Sequence, residues 1–188
     1  MGSLLALGLT AAACTAADPR GTGSPSPDAL SPCIAAGVIS EGERVPGCSF
    51  EAMQGFEDLS IDAILGTPMV LNFWASWCAI CIEEMPDFQA VHEDVKDQVT
   101  FVGLNVVGVQ AETEAAAEVF REKTGAAYRM VFDPDGSFYA RFQPNILRPV
   151  MPITIFADAD GVVVEKKFGP VNEQQLRAKL LEHFGLTV

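Results

Sequence analysis

Residues 69–86 read M-V-L-N-F-W-A-S-W-C-A-I-C-I-E-E-M-P. The near-continuous apolar run from Met69 to Trp74 suits a central strand covered on both faces. A short turn follows, and then a helix that opens on Cys78-Ala79-Ile80-Cys81. Two thiols three residues apart at a helix start can close a small disulfide. The unpaired N–H groups and partial positive charge of the helix N-terminus favour a thiolate on the first sulfur. This is a redox pattern, with Cys78 as the attacking thiol and Cys81, a turn further in, as the resolving one. An inert disulfide or half of a zinc site would use the same pair. Zinc needs two more ligands, however, and His92 and His183 offer no paired spacing.

Helical spacing along this segment places Cys81, Met85, Phe88, Val91 and Val95 on one inward stripe. Glu84 stands three residues after Cys81 and four before Phe88, so its carboxyl is aimed at the core beside the resolving thiol, whereas Glu83 shares the outer face with Asp87 and Asp94. Burial raises a carboxyl pKa, which suits Glu84 to exchange a proton with Cys81. The alternative is a glutamate whose tip snorkels to solvent. Trp74 and Trp77 read as packing around the site, with Trp77 shielding the disulfide.

Outward from this unit the chain alternates. Residues 99–107 repeat the apolar strand pattern, which makes a strand, helix, strand unit and a parallel pair with right-handed crossover. A second helix is predicted over 112–124, with Ala116, Val119, Phe120 and Lys123 at helical spacing and Gly125 as its stop. A strand over 128–132, the turn Asp133-Pro134-Asp135-Gly136 and a short helix around 138–142 follow. Residues 153–157 and 162–168 flank Asp158-Ala159-Asp160-Gly161, an antiparallel hairpin. The last helix opens on Asn172 with Gln175 completing a capping-box pattern. Leu176, Leu180, Leu181 and Phe184 form its buried stripe, and Gly185 ends it. Residues 34–64 are irregular, apart from a short helix near 61–65.

The chain of 188 residues carries 25 Asp+Glu against 12 Lys+Arg, a net charge of −13 that repels phosphate backbones and anionic lipid surfaces. Nucleic acid is thereby excluded as a natural partner. Its five cysteines divide unevenly. Cys14 follows the apolar run L-L-A-L-G-L-T-A-A-A, which reads as a secretory signal remnant over 1–13 and looks like a bacterial lipobox, with Ala11 where such boxes carry Leu. That likeness implies cleavage before Cys14 and lipidation of its sulfur. An ordinary secretion signal with an unmodified cysteine is the alternative. Residues 15–32 are rich in Pro, Ser, Gly and Ala, as in a flexible tether, so 14–45 reads as tether and N-terminal extension and 46–188 as the folded domain. With Cys14 acylated and Cys78 paired with Cys81, Cys33 and Cys48 remain as a candidate structural disulfide worth roughly 3 kcal/mol. A second redox-active pair is the rival reading.

The order of elements, with W-C-x-x-C between the first strand and its helix, resembles the thioredoxin superfamily. V-L-N-F-W-A-S-W-C-A-I-C-I-E-E-M-P, the D-P-D-G turn and M-P-I-T-I-F-A-D-A-D-G together resemble its TlpA/ResA-like thiol-disulfide oxidoreductases over about residues 46–188. The resemblance implies an α/β three-layer sandwich, with a central mixed sheet, helices on both faces and a C-terminal hairpin plus helix. It implies a functional glutamate at Glu84, a cis-proline at Pro152 facing the CxxC, and backbone pairing of substrate to Met151, with Trp77 nearby. Asn72 stands where ordinary thioredoxins carry a buried Asp, and Asn cannot titrate. By the same resemblance the protein reduces disulfides in exported proteins, apocytochrome c among them, needs no cofactor and draws electrons from a membrane thiol carrier. It sits outside the cytoplasm on the bacterial cell membrane by its lipid anchor, or is secreted. Two alternatives use the same cysteines: an oxidase that donates its disulfide to secreted chains, and a Cu(I)-binding module.

Overall fold

Alternation along the strands decides how the sheet is covered. In strand β3, Met69–Trp74, every residue is buried: Met69, Leu71 and Phe73 face one layer, and Val70, Asn72 and Trp74 face the other. The computed structural model describes residue 33 and residues 37–187 except 144 and 146. The signal remnant, Cys14 and the tether over 15–32 lie outside the described residues.

The elements run β1 (Ser49–Phe50), β2 (Leu59–Ser60), a 3-10 turn (Ile61–Ile64), β3, α1 (Ala79–Val95), β4 (Thr100–Val106), a second 3-10 turn (Val109–Ala111), α2 (Glu114–Thr124), β5 (Arg129–Asp133), α3 (Ser137–Ala140), β6 (Ile153–Ala157), β7 (Val163–Phe168) and α4 (Glu173–Phe184). Five strands form one mixed sheet in the order β5-β4-β3-β6-β7. β3, β4 and β5 are parallel, and β6 and β7 run antiparallel to their neighbours. This is the thioredoxin-like α/β fold. α1, α2 and α4 cover one face, because two successive right-handed crossovers that step the same way along a sheet leave their helices on the same side. The opposite face is covered by α3, the first 3-10 turn and residues 39–50, with the rings of Phe73, Phe138, Tyr139 and Phe142 in edge-to-face and tilted contacts at its centre.

Local chemistry ends each element where the sequence signals it. Thr113 caps α2 by accepting from the Ala116 N–H at 3.2 Å. Asn172 and Gln175 close the capping box of α4 at 2.9 and 3.1 Å. In the hairpin turn Asp158 Oδ1 accepts from the N–H groups of Asp160 and Val162. Gly161, at φ +77°, also leaves room for Leu65 where a Cβ would lie 2.8 Å from it.

Two predicted stripes are corrected. Leu181 is 53% exposed. It lies about 140° around the helix from Leu176 at 100° per residue, off the face that Leu176 and Leu180 bury. In α2 the buried residues are Ala117 and Phe120, while Ala116 and Val119 face solvent. The seam is turned because residues 54–56 lie along the other flank: Glu118 accepts from the Gln54 N–H at 2.6 Å, and Arg121 stands over the Phe56 ring.

The segment before β3 is not a simple lead-in. Residues 42–45 bond to the outer edge of the hairpin, Gly42 N–H to Val163 O at 2.9 Å and Val45 N–H to Gly161 O at 2.8 Å. Residues 51–53 bond to the outer edge of β5, Met53 N–H to Met130 O at 3.0 Å and Phe132 N–H to Glu51 O at 2.9 Å. One stretch of chain therefore covers both sheet edges, and Ile39 and Val45 are buried in the core although they precede residue 46. Cys33 and Cys48 are joined by a disulfide within this layer.

Candidate functional site

The site stands at the C-terminal end of β3. Cys78 is the N-cap of α1, and its sulfur accepts from the Cys81 N–H at 3.2 Å. A thiolate is a better acceptor than a thiol, so this seat favours charge on Cys78. Cys78 and Cys81 are joined as a disulfide. Cys78 retains 6% exposure and Cys81 none, so of the two cysteines the first lies nearer the surface. Trp77 and Ile80, 37% and 45% exposed, flank it as an apolar rim.

One turn on, Glu84 is 3% exposed. Asn72 in β3 donates to its Oε1 at 2.9 Å, and the Val171 N–H donates to its Oε2 at 3.0 Å. Asn72 also donates to Thr154 Oγ1 in β6 at 3.2 Å. Burial lifts the Glu84 pKa from 4.5 to about 7, against the opposing pull of the Asn72 and Val171 bonds. The carboxyl borders a cleft of about 450 Å³ between α1 and residues 170–175, through which it can exchange protons with solvent. Immediately before β6, Met151 is half-buried and packs against both core layers, and Pro152 is buried with a cis bond before it.

Two further carboxyls in the interior are not readable from periodicity. Glu112 accepts from the Ser76 N–H at 2.8 Å, the Ser76 hydroxyl at 2.7 Å and Asn105 Nδ2 at 2.8 Å. It was expected to begin the second helix but sits one residue ahead of its cap, where no helical period reports burial. Asp133 accepts from the Phe138 and Tyr139 N–H groups at the start of α3. Burial raises its pKa from 3.8 to about 7. The D-P-D-G turn signalled the position but not that its first Asp points inward.

Among the described residues, the His, Cys, Asp and Glu ligand atoms that cluster are those of Glu165, Glu182 and His183, and neither CxxC cysteine is among them. Lys179 occupies that cluster, 2.9 Å from Glu165 and 3.0 Å from Glu182, and supplies its positive charge. His92 lies on α1 against Phe101 and Tyr128.

The AhpC/TSA family pattern matches residues 42–166, which contain the strand, the CxxC helix and most of the hairpin. The chain belongs to the AhpC/TSA family. Within the family it is 27% identical over 139 residues to the thiol-disulfide oxidoreductase ResA of Bacillus subtilis, covering 73% of each chain. It is 28% identical over 122 residues to the sporulation thiol-disulfide oxidoreductase A of the same organism, covering 64% of this chain and 70% of that one. Among solved structures, a DsbF homologue from Corynebacterium diphtheriae superposes with a TM-score of 0.62 at 30% identity, covering 77% of this chain and 90% of that one. A secreted Mycobacterium tuberculosis disulfide oxidoreductase homologous to E. coli DsbE gives a TM-score of 0.60 at 25% identity, covering 72% and 96%. This AhpC/TSA member is a thioredoxin-like thiol-disulfide oxidoreductase of the ResA, StoA and DsbE type.

Proposed function

We propose that the protein works outside the cytoplasm, held to the bacterial membrane by a lipid on Cys14, and reduces disulfides in exported proteins, with apocytochrome c as the substrate class suggested by its likeness to ResA-like proteins. The observation that carries this reading is the Cys78 sulfur seated as the acceptor at the N-terminus of α1, with a buried carboxyl one turn behind Cys81.

In the reduced enzyme the Cys78 thiolate attacks one sulfur of the substrate disulfide, forms a mixed disulfide and expels the first substrate thiolate. Glu84, its pKa raised by burial toward neutrality, takes the proton of Cys81. The Cys81 thiolate then attacks the Cys78 sulfur, the second substrate thiolate leaves, and two electrons have passed from enzyme to substrate. The enzyme is left as the Cys78–Cys81 disulfide, which a membrane dithiol carrier restores to the dithiol. Trp77, Met151 and Pro152 form the docking rim for the substrate chain. Cys33–Cys48 is a structural staple outside this cycle.

Trapping tests the reading. Cys81→Ser expressed in the native host accumulates mixed disulfides through Cys78, which mass spectrometry identifies. The same proteins captured by a Cys78→Ser, Cys81→Ser control would sink it. A reduction potential near about −300 mV fits the reductant, and one near about −120 mV fits a disulfide donor instead.

A further inference from the structure

We propose that Glu112 is the positioning residue of the reactive turn, holding residues 75–78 so that Cys78 stays at the mouth of α1. This role rests on Cys78 being the attacking thiol.

Glu112 is a buried acidic residue whose carboxylate is met by three donors, two of them from Ser76. Its bond to Asn105 fastens it to β4, a rigid central strand. Two residues of chain, at most about 7 Å, separate Ser76 from Cys78. A second tie runs in parallel, since Trp77 Nε1 donates to Val109 O at 3.2 Å. The turn that presents the sulfur is thus fixed at two successive residues to the 109–112 segment.

That segment is held in an uncommon backbone. Gln110 and Ala111 have φ of +50° and +62°, a region that non-glycine residues seldom occupy and that persists where the surroundings over-determine it. The Glu112 N–H bonds back to Val109 O at 3.1 Å, and the Gly108 N–H bonds to Glu112 O at 3.0 Å, closing a tight loop behind the carboxylate. A loop whose job was only to join β4 to α2 has no need of this conformation. These two residues immediately precede Glu112 and so set the direction in which its side chain leaves the loop toward Ser76.

The carboxylate acts on Cys78 in two opposed ways. Its charge disfavours a nearby thiolate, whereas its grip on Ser76 keeps the helix N–H groups aligned on the sulfur. Three neutral donors solvate the carboxylate but leave its charge in place; in the proposed role, alignment outweighs that charge.

Two variants separate these effects. Glu112→Asp keeps the charge but shortens the reach by about 1.5 Å, and Glu112→Gln keeps the reach but removes the charge and one acceptor. The measurements are alkylation of Cys78 by iodoacetamide in the reduced protein between about pH 5 and 9, and the Cys78–Cys81 potential in a glutathione buffer. With Glu112→Asp, alkylation slows about tenfold at neutral pH and its midpoint moves to higher pH. The potential falls by about 30 mV, the equivalent of a tenfold change in the exchange constant, because the reduced form has lost stabilisation. Glu112→Gln slows alkylation by a smaller factor. A folded Glu112→Asp with wild-type alkylation and potential overturns the proposal, and so does a Glu112→Gln that reacts faster than wild type. If neither variant folds, Ser76→Ala decides, with slower alkylation supporting the role and unchanged alkylation rejecting it. A wild-type Cys78 no faster than free cysteine would instead overturn the reading of the site itself, and this role with it.

Discussion

Glu84 separates what one residue contributes from what its fold contributes. Its side chain is ordinary; the burial imposed by α1, β3 and residues 170–171 moves its pKa from 4.5 to about 7. Glu84→Gln keeps an acceptor for Asn72 but removes the titrating group. Resolution of the mixed disulfide is then expected to slow by about 10²-fold, the low end for a positioned general acid–base, and its pH profile to flatten across neutrality. Stopped-flow exchange with a model disulfide over about pH 5 to 9 checks this, and a variant that keeps the wild-type profile removes Glu84 from proton transfer. The direction of this residue was legible in the sequence, because Glu84, three residues after Cys81 and four before Phe88, shares the helical face that buries both. Glu112 was not legible, since a side chain buried from a loop follows no period. Its partners Ser76 and Asn105 are brought to it by the crossover, over separations that no local pattern encodes.

At the scale of elements, apolar runs and caps were readable where one face decides the outcome. β3 and β6 have the bounds that the apolar run and the hairpin pattern predicted, and the capping box of α4 is formed as its sequence suggests. The errors fell on helix flanks. Leu180 and Leu181 are neighbours of identical chemistry, and only the packing of α4 against the sheet decides which is inside. Leu180→Ala is expected to cost about 2–5 kcal/mol, whereas Leu181→Ala stays within about 0.5 kcal/mol. Urea unfolding of the two variants measures the difference, and equal losses would contradict the helix rotation. In α2 the turned face follows from residues 54–56, whose position no period in the helix itself could reveal.

For the whole molecule, two buried carboxyls with raised pKa values link stability to pH. Glu84 and Asp133 both bind their protons more tightly folded than unfolded, with pKa values raised to about 7. Their contribution is complete below the unfolded values near 4. It is lost as pH rises through about 7, to the extent of order 3 kcal/mol for each. The folded state is therefore expected to resist urea better at pH 5 than at pH 8, and Glu84→Gln to show a shallower dependence. An identical slope in wild type and variant would mean that burial of Glu84 is not coupled to folding. The arrangement suits a site that must release and recapture a proton near neutrality, at a cost in stability on the alkaline side.

The stretch from residue 41 to residue 53 also governs how the protein meets its neighbours. By bonding to the flanks of the sheet at Val163 and at Met130, it takes up edge amides and carbonyls there that a sister chain or a half-folded cargo could otherwise copy. The exposed apolar surface of Trp77 and Ile80 lies instead at the pole that carries the sulfur. On the proposed cycle, company at that pole is brief, because each visit ends when the second sulfur lets the guest go.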